Sequence, residues 1–179
     1  MTLPVSGHVV LVGPMASGKS AVGEILARRL GLSLVDLDQL VSEQHGPIPE
    51  FFAQHGEAAF RAAESAALIR ALDGPPSVIA TGGGVVLAAA NREALAPHTV
   101  IKLDITAATA AKRLTGDTTR PLLAGDDPVA AWSAIAAARE PLYSEVATHA
   151  VAADAEGAEA IATAIATVLT KSFTQEEKA

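Results

Sequence analysis

Apolar residues in this chain follow two alternating rhythms. Short unbroken runs, of which His8-Val9-Val10-Leu11-Val12 and Ser77-Val78-Ile79-Ala80 are the clearest, are rich in β-branched residues and too short for helices. Strands buried on both faces of a parallel sheet read this way. Between the runs, apolar positions return every three or four residues, as Val22, Ile25, Leu26 and Leu30 do between Ser20 and Leu30. That is the stripe of a helix packed on one face. The pattern predicts strands over 8–12, 33–36, 77–81, 99–103 and 148–152, and helices over 19–30, 38–45, 57–72, 88–96, 106–114, 128–146 and 157–171. Strands separated by helices build parallel βαβ units, hence an α/β sheet with helices on both faces. Gly31 is placed to cap the first helix, Asp73-Gly74-Pro75-Pro76 stops the long one, and Pro97 ends the next. Thr115 to Pro128 carries glycines, aspartates and prolines without periodicity and reads as a mobile loop, about 115–128. The expectation is one domain over 1–171 and a frayed polar tail over 172–179.

Composition narrows the class. Half of the 179 residues are hydrophobic but only 3% are aromatic, so the core is built from Ala, Val, Leu and Ile. The net charge is −7 and no Lys/Arg cluster stands out, which argues against broad binding to nucleic acid or a membrane surface but leaves room for a small anion. Without cysteine there is no disulfide, thiolate nucleophile or cysteine metal site. The histidines (His8, His45, His55, His98, His149) show no metal-ligand spacing. The N-terminus lacks the basic start and long apolar core of a signal peptide, and no stretch is long enough to span a bilayer. A cytoplasmic monomer is the expectation.

The candidate chemistry begins at Gly13-Pro14-Met15-Ala16-Ser17-Gly18-Lys19-Ser20, which fits G-x-x-x-x-G-K-[ST] between a strand and a helix. Its glycines let several backbone N–H groups converge on a phosphate, and the helix start adds its positive dipole end. Lys19 would meet the β- and γ-phosphates, and the Ser20 hydroxyl would meet Mg²⁺. The second strand ends Val35-Asp36-Leu37-Asp38. Alternation puts Asp36 and Asp38 on one side, at the sheet edge where ligands bind, unless one of them caps the helix that follows. Gly82-Gly83-Gly84 follows the third strand. A tight turn needs one or two glycines, so a third suggests close approach to the backbone or an anion on its amides. Phe51, Phe52 and Phe60 cluster beside Arg61, which can pair with Glu64 at i, i+3. That arrangement would suit a small ring bearing a carboxylate, although taken alone it reads first as core packing beside a surface ion pair. Arg120 sits in the mobile loop, Arg113 just before it and Arg139 in the helix after it. A loop arginine can reach a transferring phosphoryl group. Arg28, Arg29, Arg92 and Lys102 read as solvated surface charges.

Taken in order, the phosphate loop, D-L-D, F-R-x-x-E, G-G-G, R-P-L-L and R-E-P-L-Y resemble shikimate kinases from about Val9 to Ala150. The resemblance implies a three-layer P-loop kinase fold with a five-stranded parallel sheet and a mobile lid. It implies transfer of the ATP γ-phosphate to the 3-hydroxyl of shikimate, on the route to aromatic amino acids. Carried over, Gly13, Ala16, Ser17, Gly18, Lys19, Ser20, Ala21, Arg113 and Arg120 would hold ATP, and Ser20 and Asp36 would hold Mg²⁺. Asp38, Phe52, Phe60, Arg61, Gly82, Gly83, Gly84 and Arg139 would bind shikimate, with Lys19, Asp38 and Arg120 catalytic and Glu64 steadying Arg61. The chain departs from the family after its last strand. There Val151 to Ala158 reads V-A-A-D-A-E-G-A, without the Pro and the Arg or Asn that often pack on adenine, which leaves the base to Arg113. Two readings compete: a kinase for another polyol acid such as gluconate, and a non-catalytic nucleotide-binding module. F-R-x-x-E, G-G-G and R-E-P-L-Y speak against the first, and the intact Lys19, Ser20, Asp36, Asp38 and Arg120 against the second.

Overall fold

Every residue of β1 (Val9–Val12) is buried, so this strand lies between two apolar layers. Val9 and Leu11 point to one, Val10 and Val12 to the other, as the strand's two-residue period requires. The computed structural model describes residues 7–115, 121–123, 126–154 and 157–176. Among them β1, β2 (Ser33–Asp36), β3 (Ser77–Ala80), β4 (Thr99–Asp104) and β5 (His149–Ala152) form one parallel sheet in the order β2-β3-β1-β4-β5. Val9 stands opposite Val78 on one side and Thr99 on the other.

The first face is covered by α1 (Lys19–Leu30) and α7 (Ala158–Glu176), which bury Val22, Leu26, Ile161, Ile165 and Leu169 against Leu11, Ile101 and Leu103. The second is covered by α2 (Leu37–His45), α3 (Ile48–Leu72), α4 (Ala89–Leu95) and α6 (Pro128–Val146), which bury Leu37, Leu68, Leu95 and Tyr143 against Val10, Ile79 and Val100. Each fully buried leucine contributes roughly 2 kcal/mol to holding these layers. A third cluster joins α5 (Ala107–Leu114) to α6 through Leu114, Leu123 and Trp132, against Met15 and Ala16. With all strands parallel, their C-terminal ends share one edge of the sheet, and the loops leaving that edge build the site.

The structure departs from the pattern reading in a few places. The helix expected over 57–72 is present, and a further helical stretch from Ile48 leads into it across a break at Gly56, whose φ is 80°. That stretch begins between Pro47 and Pro49, which a first helical turn tolerates. The helix expected from 38 starts at Leu37, with Asp36 as its cap. Asp38 therefore lies in a helix, and the same-strand argument for the two aspartates does not hold. A 3₁₀ turn, Val85–Leu87, precedes α4. The last helix runs past 171, to Glu176. Lys102 is buried rather than solvated, paired with Asp104 at 3.1 Å and Glu140 at 2.5 Å. Much of the loop expected over 115–128, Arg120 included, lies outside the described residues.

Candidate active site

The phosphate loop is shaped by its glycines and by side chains that hold its carbonyls. Gly13 has φ 141°, and a Cβ there would stand 2.6 Å from the Leu103 carbonyl oxygen. Gly18, at φ 87°, precedes α1, whose start has no side-chain cap. An uncapped helix start leaves backbone N–H groups available to an anion. Two of the loop's carbonyls are held by side chains from other elements: Trp132 Nε1 donates to Met15 O at 2.9 Å and Arg113 Nη1 to Ala16 O at 3.0 Å. Lys19 Nζ donates to Gly13 O, Pro14 O and Ser17 Oγ at 2.8 to 3.2 Å, which holds the ammonium inside the loop. Arg113 Nη2 also donates to Ala153 O at 2.7 Å, tying the loop to the segment after β5. A side cavity of about 210 Å³ opens there between Gly18, Ala21, Arg113, Gly157 and Ile161.

The main cavity, about 850 Å³, runs from this loop to α2, α3 and α6. Ala16, Gly18, Lys19, Ser20, Ala21 and Arg113 line it, as do Asp38, Phe52, Phe60, Arg61, Gly82, Gly83, Gly84 and Arg139. Gly13 and Ser17 lie behind it, shaping the loop. Asp36 is not on its wall: its Oδ1 accepts from the amides of Asp38 and Gln39 at 3.0 and 3.2 Å. Phe52 and Phe60 pack with ring centroids 5.9 Å apart, and the Arg61 guanidinium lies 5.0 Å from the Phe60 centroid. Phe51 stacks on His45 instead.

The triple glycine is the hub of the cavity. A Cβ on Gly82 would stand 2.2 Å from Glu64 Oε1 and 3.0 Å from Asp38 Oδ1. On Gly83 it would touch Met15 N at 3.4 Å, Tyr143 Oη at 3.5 Å and Arg139 Nη1 at 3.6 Å; on Gly84 it would overlap Arg61 Nη1 at 2.0 Å. Three side-chain-free positions thus let the phosphate loop, two carboxylates and two arginines converge on one backbone turn.

Electrostatics there are unusual. Arg61 Nη1 donates to Glu64 Oε2 at 2.8 Å, and Arg61 Nη2 reaches the more exposed Glu57 at 3.3 Å. Burial pushes the Glu64 carboxyl above the usual range, against the pull of Arg61, and Asp38 adds to the push. Burial pushes the Tyr143 phenol up to about 12. Its hydroxyl therefore stays a donor, and it donates to Gly83 O. Sequence reasoning gave Tyr143 and Trp132 no role. Tyr143 is the chain's only tyrosine, four residues after Arg139, and so shares its helix face.

Among the described residues no cluster of three or more His, Asp or Glu side chains could cage a metal. Mg²⁺ needs no such cage, because it is held by one or two protein oxygens together with phosphates and water. The Ser20 hydroxyl on the cavity wall and the Asp36 carboxylate at the same edge are hard oxygen donors of that kind.

The family model for shikimate kinase matches residues 15–170. A shikimate kinase of Rhodococcus jostii is 43% identical over 146 residues, 81% of this chain and 87% of its own. The structure of shikimate kinase from Acinetobacter baumannii in complex with shikimate superposes with a TM-score of 0.90 at 33% identity, covering 93% of this chain and 94% of that one. A gluconokinase from Sinorhizobium meliloti has a TM-score of 0.65 at 21% identity, over 98% of this chain and 99% of that one, a likeness of fold alone.

Proposed function

The chain belongs to the shikimate kinase family, and on that premise we propose that it transfers the γ-phosphoryl group of ATP to the 3-hydroxyl of shikimate, on the route to aromatic amino acids. The observation that carries this reading is the convergence on Gly82–Gly84: a phosphate loop, a carboxylate and two arginines share one cavity. ATP lays its phosphates on the loop amides and Lys19, with its base in the side cavity beside Arg113. Arg61 and Arg139 clamp the acceptor's carboxylate, Phe52 and Phe60 bound its ring, and the Gly82–Gly84 backbone lines its face. Asp38 orients the 3-hydroxyl. As the bond from the γ-phosphorus to the β-bridging oxygen breaks, a bond to the 3-oxygen forms and the hydroxyl proton passes to Asp38. Lys19 and, from outside the described residues, Arg120 offset charge on the moving phosphoryl group, which such a loose transition state rewards. Ser20 and Asp36 would hold Mg²⁺, which would neutralise phosphate charge. We place the protein in the cytoplasm as a monomer.

The test is ADP release with ATP and Mg²⁺ in the presence of shikimate, gluconate or no acceptor. Release that requires shikimate is expected. Release with gluconate would keep the phosphate end and overturn the roles of Asp38, Arg61 and Arg139. ATP binding without release under any condition would favour a binding module.

A further inference from the structure

Among the described residues Ala16 is the sole non-glycine with a positive φ, 65°. It stands third in the turn Pro14-Met15-Ala16-Ser17, which Ser17 N closes on Pro14 O at 3.3 Å. A turn whose third residue has positive φ normally puts glycine there, because a side chain makes the left-handed conformation costly. Rotating the Met15–Ala16 peptide plane by half a turn would give the commoner turn and bring Ala16 to a negative φ. A conformation of this kind persists only where its surroundings impose it. The Met15 carbonyl oxygen, which the flip would carry away, accepts from Trp132 Nε1 at 2.9 Å. Trp132 is 4% exposed and shares a buried cluster with Ala110, Leu114 and Leu123, against which Met15 and Ala16 also pack. The indole therefore has little room to follow a moving carbonyl. Arg113 Nη1, from α5, holds the next carbonyl, Ala16 O, at 3.0 Å.

We propose that Trp132 is a positioning residue for the phosphate donor: its indole N–H latches the Met15–Ala16 peptide plane in the orientation that ATP needs. The inference rests on the kinase reading for the identity of that donor. In a trans peptide the carbonyl and the amide point opposite ways. With Met15 O held toward Trp132, the Ala16 amide is offered on the other side. A flip would offer a carbonyl there instead, and a carbonyl repels phosphate. Alternation of right- and left-handed residues is what gathers successive amides into an anion-binding concavity. Ala16 and Gly18, at φ 65° and 87° with Ser17 between them, supply the left-handed positions. Glycine takes that conformation unaided, whereas Ala16 needs the help that α6 gives. The same helix carries Arg139 to the acceptor end, so one element reaches both halves of the cavity.

The experiment titrates ATP with Mg²⁺, by calorimetry and without acceptor, into the wild type, Trp132→Phe, Ala16→Gly and the double variant. Phenylalanine keeps an aromatic ring in the cluster and removes the N–H. Trp132→Phe is expected to weaken ATP binding about tenfold, the factor by which the flip depletes the binding-competent loop. In the Ala16→Gly background both orientations are open to the chain, so adding Trp132→Phe should cost only about twofold. An equal loss in both backgrounds would mean lost packing rather than a lost latch, and no loss in either would mean that the bond holds nothing. Each of these overturns the proposal. Should Trp132→Phe fail to fold, the wild type still decides. Its only tryptophan gives one indole N–H signal in a nitrogen-15 spectrum. Exchange of that hydrogen with water should be slowed about a hundredfold or more in the free protein. Exchange as fast as in free indole overturns the proposal. An error over the acceptor shows itself separately, as ATP binding without shikimate-dependent ADP release, and the titration still judges the latch. A wild type that binds no ATP overturns the phosphate-loop reading and this proposal together.

Discussion

Two polar groups are buried at opposite edges of the same sheet, and they have met different fates. At the N-terminal edge His8 is fully partnered: Nδ1 lies 3.0 Å from Ser77 Oγ, Nε2 lies 3.1 Å from the Leu72 carbonyl, and the His98 ring meets it edge-on at 5.2 Å. At the C-terminal edge Glu64 has one oxygen paired and one not, opposite a second carboxylate and beneath two arginines. A saturated network fixes strands and helices in place. An unsaturated one costs stability that the fold must supply elsewhere, and it persists where a ligand completes it. The contrast says that changes at the C-terminal edge should act on turnover and acceptor binding, and changes at the N-terminal edge on stability alone.

The hardest test of that division is Asp38→Asn. It keeps shape and removes the charge that would take the hydroxyl proton, so kcat should fall about a thousandfold or more. ATP affinity, which rests on the loop from Gly13 to Ser20, should stay near wild type, as should thermal stability. Nucleotide titration and a melting curve of the same variant check this. Near-normal kcat would remove Asp38 from its role.

Gly84→Ala comes next. The new methyl would overlap the Arg61 guanidinium, the far end of a flexible side chain, which moves at lower cost than backbone would. The backbone should survive and the clamp should shift. An increase of about tenfold in KM for shikimate is expected, with KM for ATP unchanged. If both constants rise together, the triple glycine serves the phosphate end as well, and the division between donor and acceptor halves of the cavity breaks down.

Tyr143→Phe is the finer probe. It deletes only the hydroxyl that donates to Gly83 O, leaving a half-buried carbonyl without its donor and Arg139 with a looser neighbour. Shikimate KM should rise about three- to fivefold. A loss of stability without any change in KM would move Tyr143 into the class of His8.

How much of this was legible in the sequence follows the same geometry. The phosphate end is one continuous segment whose function resides in its backbone, and a spacing of glycines, lysine and serine announces it. The acceptor end is assembled from β3, α2, α3 and α6, and only meeting points without side chains betray it: the third glycine signalled close approach, and Arg61, Glu64 and Asp38 are what approach. The strands and most helices follow from apolar periodicity because packing on a two-faced sheet enforces it. The start of α3 did not, because two prolines bracket Ile48, and turn chemistry masks a helix whose first turn tolerates them. Asp38 was reached through alternation on a strand, although its position is set by a helix that Asp36 caps. Burial is the part least readable in advance: nothing in F-R-x-x-E distinguishes a surface ion pair from Glu64 at 1% exposure.

The smallest effect belongs to the saturated edge. Burial and the neighbouring His8 hold His98 below the ordinary histidine range, so the folded state binds that proton less readily than the unfolded one. Stability linked to this group is therefore fully present above the unfolded value, about 6.5. It is lost as pH falls through that value toward the lowered one. His98 is only partly buried, so the change should be small. The melting temperature of the wild type should drop by about 1–2 °C more than that of His98→Gln between pH 7.5 and 5.5. The difference between the two proteins matters, because carboxylates elsewhere titrate alike in both. Turnover at pH 7.5 should be the same in both. If His98→Gln instead alters KM for either substrate, the two edges of the sheet are coupled, and the separation between a stabilising end and a working end fails.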